Sequence, residues 1–327
     1  MTQLHESLTT LVKAAGLGDG VEGLTRLSGG AMHETWRFDA VSAAGRQGLV
    51  LRRGAGDTSG GALSLDQEAR LIERARACGV PAPAILGRLM DGDRVDGVLM
   101  ECVEGETLGR RIATGEAFAR ARQGLARRCG QVLARLHQGD FSAFRRELRA
   151  TDAKGETDRL RAILKRLGVP RPVFEAALVW LDDHRPQGRS LCLVHGDFRN
   201  GNLMVGEDGL RAVLDWEGAH FGDPAEDLGW ICVNSWRFNV VDKPVGGFGD
   251  IDDLLAGYHE AGGVPVTHGE LKYWEVLGSL KWGLIAASNL EVFAPDGERA
   301  VERGMIARRA SETELDLLRL IAPRRAG

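Results

Sequence analysis

Apolar and polar residues alternate with a period of two through much of the first hundred positions, and the alternation predicts strands. LTRLSGGAMHETWRFDAV (24–41) reads as two strands about a glycine turn, QGLVLRRG (47–54) as a third and DGVLMECV (96–103) as a later one. Between them, SLDQEARLIERARACG switches to helical spacing, with Leu65, Ala69, Ile72 and Ala75 on one face and an end at Gly79 before Pro81 and Pro83. Beyond ECVEGE the longer period dominates, predicting helices over about 116–139, 172–184, 251–262, 268–291 and 300–321. Short strands interrupt these at 191–194, 203–205 and 211–214. A strand-rich first part and a helical second part define an α+β chain whose halves divide near residue 104, into 1–104 and 105–327, with a site expected where they meet.

Composition narrows the class. With 327 residues, 43% hydrophobic and 27% charged, the chain has the balance of a globular protein with a sizeable core. Its longest apolar runs, such as AALVWL at 176–181, fall far short of the ~20 residues that cross a bilayer, so no membrane insertion is expected. The first residues, MTQLHESLTT, lack a basic segment followed by an apolar stretch, which predicts a cytoplasmic protein. Five cysteines without close pairing argue against a disulfide framework or zinc site, and a net charge of −4 offers no general attraction to nucleic acid. The arginine-rich stretch from Arg110 to Arg149 is interrupted by Glu116, Asp140 and Glu147 and reads as a solvated helix face.

The chemistry concentrates in LVHGDFRNGN (193–202). Asp197 and Asn202 stand on a loop, and the hairpin LMVGEDGLRAVL returns the chain so that Asp215 ends beside Asn202. An amide oxygen and one or two carboxylates suit Mg²⁺, a hard cation that accepts few protein carboxylates and completes its shell with water and phosphate oxygens. Asp197 is then free to orient a hydroxyl. Asp and Asn are also the commonest turn residues, but the carboxylate at the far end of the hairpin weakens a turn-only reading. Asp223-Pro224-Ala225-Glu226 predicts a helix start beside these residues, with Asp223 as N-cap and Glu226 at its third position. The role of Asp227 stays open.

HGDFRNGN followed by VLDWEGAHFGDPAEDLGW resembles the aminoglycoside phosphotransferase family, small-molecule kinases that include choline and macrolide kinases and share a bilobal protein-kinase-like fold. The resemblance implies transfer of the γ-phosphoryl group of ATP, or GTP, with Mg²⁺, to a hydroxyl of a small molecule. It makes Asp197 the catalytic aspartate, Arg199 the cation that steadies the phosphoryl group, Asn202 and Asp215 the magnesium ligands and Glu217 a further ligand through water. By the same resemblance Ser28, Gly29 and Gly30 turn over the nucleotide phosphates, and the backbone of Glu101, Cys102 and Val103 meets the adenine edge. Arg52 stands where kinase strands have lysine, with Glu68 as its helix partner; Arg53 is the alternative. His195 is expected to shape the loop. Aromatic residues after 215 suggest an acceptor wall, although Trp274 and Trp282 also suit core packing. A pseudokinase is the main alternative, kept open by the missing lysine. A metal phosphohydrolase would need histidine pairs that the eight histidines do not form.

Overall fold

The computed structural model of the protein describes residues 2–27, 33–54, 63–289 and 300–322. Helix α1 (Thr2–Ala14) precedes strands β1 (Gly20–Leu27), β2 (Glu34–Ser42) and β3 (Gly45–Arg53). Helix α2 (Leu65–Ala77) follows, then β4 (Ile85–Asp91) and β5 (Arg94–Glu101). The five strands form one antiparallel sheet in the order β1-β2-β3-β5-β4. Alternation along β3 and β5 sends Leu49, Leu51 and Leu99 to the face covered by Leu4, Leu8 and Val12 of α1. Val50, Val98 and Met100 meet Leu65 and Ala69 of α2 on the other face. Ser64 caps α2 in a reciprocal pair with Gln67, which fixes where that helix starts.

The helical part comprises α3 (Gly109–Thr114), α4 (Ala119–Gln138), α5 (Ala153–Leu167) and α6 (Pro172–Asp183). Short strands β6 (Cys192–Val194), β7 (Leu203–Gly206), β8 (Gly209–Val213) and β9 (His220–Gly222) come next. Helices α7 (Ala225–Trp230), α8 (Ile251–Glu260), α9 (His268–Ser288), α10 (Ala300–Arg308) and α11 (Ala310–Ile321) complete it. One large core joins α4, α6, α8 and α9, with Trp274, Tyr258, Tyr273, Phe174 and Trp216 fully buried in it. Strands β6 and β9 pair, and β7 and β8 form the expected hairpin.

Several elements depart from the sequence reading. Helix α1, with Leu4, Leu8 and Val12 four apart, escaped it, as did α5 and strands β4 and β9. The helix expected over 116–139 is preceded by a separate α3 and a 3₁₀ turn at Glu116–Phe118, because Gly115 leaves helical geometry at ψ 137°. The helix expected over 300–321 breaks at Arg309, whose N–H bonds Ile306 O three residues back and so interrupts the i−4 ladder.

Candidate active site

Two hollows meet at the loop after β6. The first, about 410 Å³, lies between the sheet and the helical part and is lined by Val50, Arg52, Glu68, Glu101, Cys102, Val103, Asn202 and Asp215. The second, about 440 Å³, is lined by Asp197, Arg199, Glu217 and Lys281 together with Trp230, Trp236 and Trp282. Ser28, Gly29 and Gly30 lie outside the described residues.

The loop is held by its own sequence. Val194 ends β6 in the core, and Phe198, fully buried, anchors the far side. Gly196 turns between them at φ +76°, where a Cβ would meet Gly218 O at 2.3 Å, so only glycine fits. His195 is buried; its Nδ1 accepts from Asp197 N (3.3 Å), which leaves Nε2 to donate to Leu214 O (3.1 Å). It therefore ties the loop to the end of the hairpin, in keeping with a shaping role. The N–H groups of His195 and Gly196 both donate to Asp227, at 2.7 and 2.9 Å. Asp227 also meets His137 Nε2 at 3.2 Å. Burial opposes its charge, but the His137 bond and the neighbouring imidazoles outweigh it and hold its pKa below the usual value. This brace is a use the motif alone left open, and His137, on α4, had no sequence signal beyond its place on an apolar face.

Three donors position the Asp197 carboxylate. Asn202 Nδ2 donates at 2.6 Å, Trp230 Nε1 at 2.7 Å and Arg199 Nε at 3.1 Å. The Arg199 guanidinium lies 4.7 Å from the centre of the Trp236 ring. With its nitrogen committed to Asp197, the Asn202 amide keeps its oxygen for other partners. Leu214 N bonds Asn202 O at 2.8 Å, so the hairpin brings the Asn202 and Asp215 segments side by side. Asp215 itself sits at φ 64°, ψ 70°, a left-handed conformation that Asp tolerates better than most residues.

Arg52 Nη1 donates to Glu68 Oε1 at 2.5 Å and Nη2 lies 3.7 Å from Asp215, whereas Arg53 turns to Asp96 at 2.9 Å. Glu68, almost fully buried, also accepts from Trp216 N at 3.2 Å, so α2, β3 and the Asp215 loop share one carboxylate. Burial works against the Arg52 charge, yet Glu68, Asp215 and Glu217 outweigh it and raise its pKa. Glu217 is pushed up to about 7, first by burial and then by Asp215, with Arg52 opposing. Glu101 N is spent on Ala84 O (2.9 Å) and Cys102 N on Gly48 O (3.2 Å), so neither N–H is open to a ligand. Among the described residues no group of three or more His, Cys, Asp or Glu is arranged to hold a metal.

Asp223 does cap the next helix: its Oδ1 accepts from Ala225 N at 2.8 Å, and Pro224 is already helical at φ −56°, ψ −26°. Glu226 does not reach back to complete a capping box. It turns to His220 Nε2 (3.2 Å) and lies 3.6 Å from Lys281, a residue missed because it sits on the largely apolar helix α9. Of the aromatic residues expected as an acceptor wall, Trp230, Trp236 and Trp282 line the second hollow. Trp216, Trp274, Tyr258 and Tyr273 are core.

A model of the family described as "Phosphotransferase enzyme family" matches residues 23–264. The chain belongs to that family. Mouse acyl-CoA dehydrogenase family member 10 is 27% identical over 201 residues, 59% of this chain and 19% of the mouse protein. The uncharacterized protein YcbJ of Bacillus subtilis (strain 168) is 27% identical over 143 residues, 42% of this chain and 43% of YcbJ. The matches thus span less than half of either relative. Among solved structures, a protein of Ralstonia eutropha JMP134 assigned to the aminoglycoside phosphotransferases superposes with a TM-score of 0.72 at 20% identity, over 96% of this phosphotransferase-family chain and 98% of its own. Spectinomycin phosphotransferase, solved with ADP and spectinomycin, gives 0.64 at 16% identity over 97% and 98%. Macrolide 2′-phosphotransferase of Brachybacterium faecium gives 0.56 at 21% over 99% of each. These likenesses show the bilobal kinase-like fold. No helix among the described residues is long and apolar enough to cross a membrane.

Proposed function

We propose that the protein transfers the γ-phosphoryl group of ATP, in the presence of Mg²⁺, to a hydroxyl group of a small molecule. One observation supports this above the others: the 2.6 Å hydrogen bond from Asn202 to Asp197 joins a residue lining the first hollow to one lining the second. A transfer between two substrates needs such a junction, with a nucleotide on one side and an acceptor on the other.

In this reading the carbonyl of Glu101 and the backbone of Val103 take the adenine edge, and Arg52, held by Glu68, takes phosphate oxygens. The donor set suits Mg²⁺: the Asn202 amide oxygen and the Asp215 carboxylate would hold it, with Glu217 through water, and two carboxylates plus an amide match the few protein ligands this ion accepts. When bound, the ion neutralises phosphate oxygen charge. Asp197 accepts the hydrogen bond of the acceptor hydroxyl and takes its proton as the oxygen attacks, while Arg199 beside it stabilises charge on the transferring group.

The test is a screen of ATP and GTP consumption against alcohols, sugars and amino sugars with wild type and Asp197→Ala. Loss of transfer by about 10²-fold or more with nucleotide affinity retained is the expected result. Full turnover in Asp197→Ala overturns the assignment.

A further inference from the structure

We propose that the acceptor is an anion: a hydroxylated molecule bearing a carboxylate or phosphate group on an apolar body. This rests on the phosphotransfer reading and deepens it.

The second hollow presents cations. Arg149 and Arg159 line it with side chains 43% and 41% exposed, while the Glu156 carboxylate that both engage lies behind them, 1% exposed. Arg159 gives Nε and Nη2 to Glu156, at 3.1 and 2.8 Å, and Arg149 gives Nη1. Their other N–H groups have no hydrogen-bond partner among the described residues. Lys281 lines the hollow more deeply, 14% exposed, with buried Glu226 at 3.6 Å and its ammonium donating to Gly196 O at 3.2 Å. Of the carboxylates lining the hollow, Glu147 pairs with Arg70, Asp197 holds three donors beside the reacting group, and Glu217 stands with Asp215 and Arg52 on the side where the metal is proposed to bind. Buried Glu156 thus orients a rim of two guanidinium groups with N–H groups to spare, the arrangement that receives an oxyanion.

The aromatic residues exclude the opposite reading. A cage for a cationic ligand needs tryptophan rings free to face the charge. Here Arg199 lies 4.7 Å from the Trp236 ring centre, Lys281 lies 4.7 Å from that of Trp230 and Arg309 lies 5.6 Å from that of Trp282. The rings also pack on one another, at 5.3 Å for Trp230–Trp236 and 5.0 Å for Trp236–Trp282. The protein's own cations use the π-faces, leaving apolar edges for an uncharged body.

The test uses wild-type protein with Mg²⁺ and ATP. A homologous series of aliphatic hydroxycarboxylates is compared with the methyl esters, with amino alcohols of equal length and with glycerol 3-phosphate. Calorimetry with Mg²⁺-ATP first establishes nucleotide binding; its absence defeats the phosphotransfer reading itself. With nucleotide bound, at least one anion is expected to show kcat/KM about tenfold or more above its neutral and cationic partners. Preference for the carboxylates or for the phosphate identifies the anionic group. Arg159→Gln should raise KM for that acceptor by about tenfold, more than it lowers kcat, with the ester little affected and Arg159→Lys partly restoring the preference. Better turnover of amino alcohols or esters overturns the proposal. So does the absence of both turnover and tryptophan quenching with every anion while Mg²⁺-ATP binds.

Discussion

At the scale of single residues, one carboxylate and its donors decide the geometry of the loop that bears Asp197. Asp227 receives two backbone N–H groups and one imidazole in a fully buried position. Asp227→Asn keeps the size but replaces one acceptor oxygen with an NH₂ that faces a donor. The expected cost is roughly 1–3 kcal/mol of stability, with a fall in kcat from displacement of the Asp197 loop. Thermal melts and single-turnover kinetics check it; a variant with unchanged melting and kcat removes the brace. The two adjacent arginines separate in the same way. Arg52→Ala should weaken Mg²⁺-nucleotide binding by about tenfold or more, by loss of a charge-assisted contact, while Arg53→Ala, whose partner is Asp96, should leave it near wild type. Calorimetric titration of both variants distinguishes them, and equal effects would place the phosphate contact elsewhere.

At the scale of elements, α7 turns a short motif into a structural junction. It places Glu226 against His220 of β9 and Lys281 of α9, and Asp227 against the loop after β6. Burial works to raise the Glu226 pKa, but His220 and Lys281 outweigh it and hold it below its ordinary value of 4.5. A depressed carboxylate stabilises the folded state above its unfolded pKa, and that contribution fades as the pH falls toward the folded one. Wild type should therefore lose its advantage over Glu226→Gln progressively below pH 4.5 and keep it near neutrality. Melting temperatures of both proteins across that range test the sign; a gap that widens in acid reverses it. The strands β1, β2, β3 and β5 were legible from alternation, as was α2 from its spacing and its stop at Gly79. Helix α5 was not, because AKGETDRLRAILKRL interleaves its few apolar residues with charges, and its partners on α6 and α9 supply the burial that fixes it.

At the scale of the whole molecule, the first hollow lies between a sheet clamped by α1 and α2 and a separate, larger helical core. Among the described residues both cores are built of apolar side chains packed on one another, with no cluster of metal-ligating groups in them. Removal of Mg²⁺ by EDTA should therefore abolish transfer yet leave the melting temperature of the nucleotide-free protein unchanged. Mg²⁺-ATP at about 100 times its Kd should add about 2.7 kcal/mol, lost again on chelation. Scanning calorimetry with and without EDTA decides this, and unfolding of the free protein by EDTA would assign the metal a structural role instead.

The linear chain by itself determined the strand-rich first part, the hairpin that returns Asp215 toward Asn202 and the Asp223 cap, because each depends on local period or short-range turn geometry. Only the tertiary structure decided which arginine meets Glu68, where Asp227 points, which tryptophans line a cavity and which charges stand in front of their counterions. Those outcomes depend on side chains from elements far apart in the chain, α4 with α7 and α7 with α9, and contacts between them exist only once the core has closed.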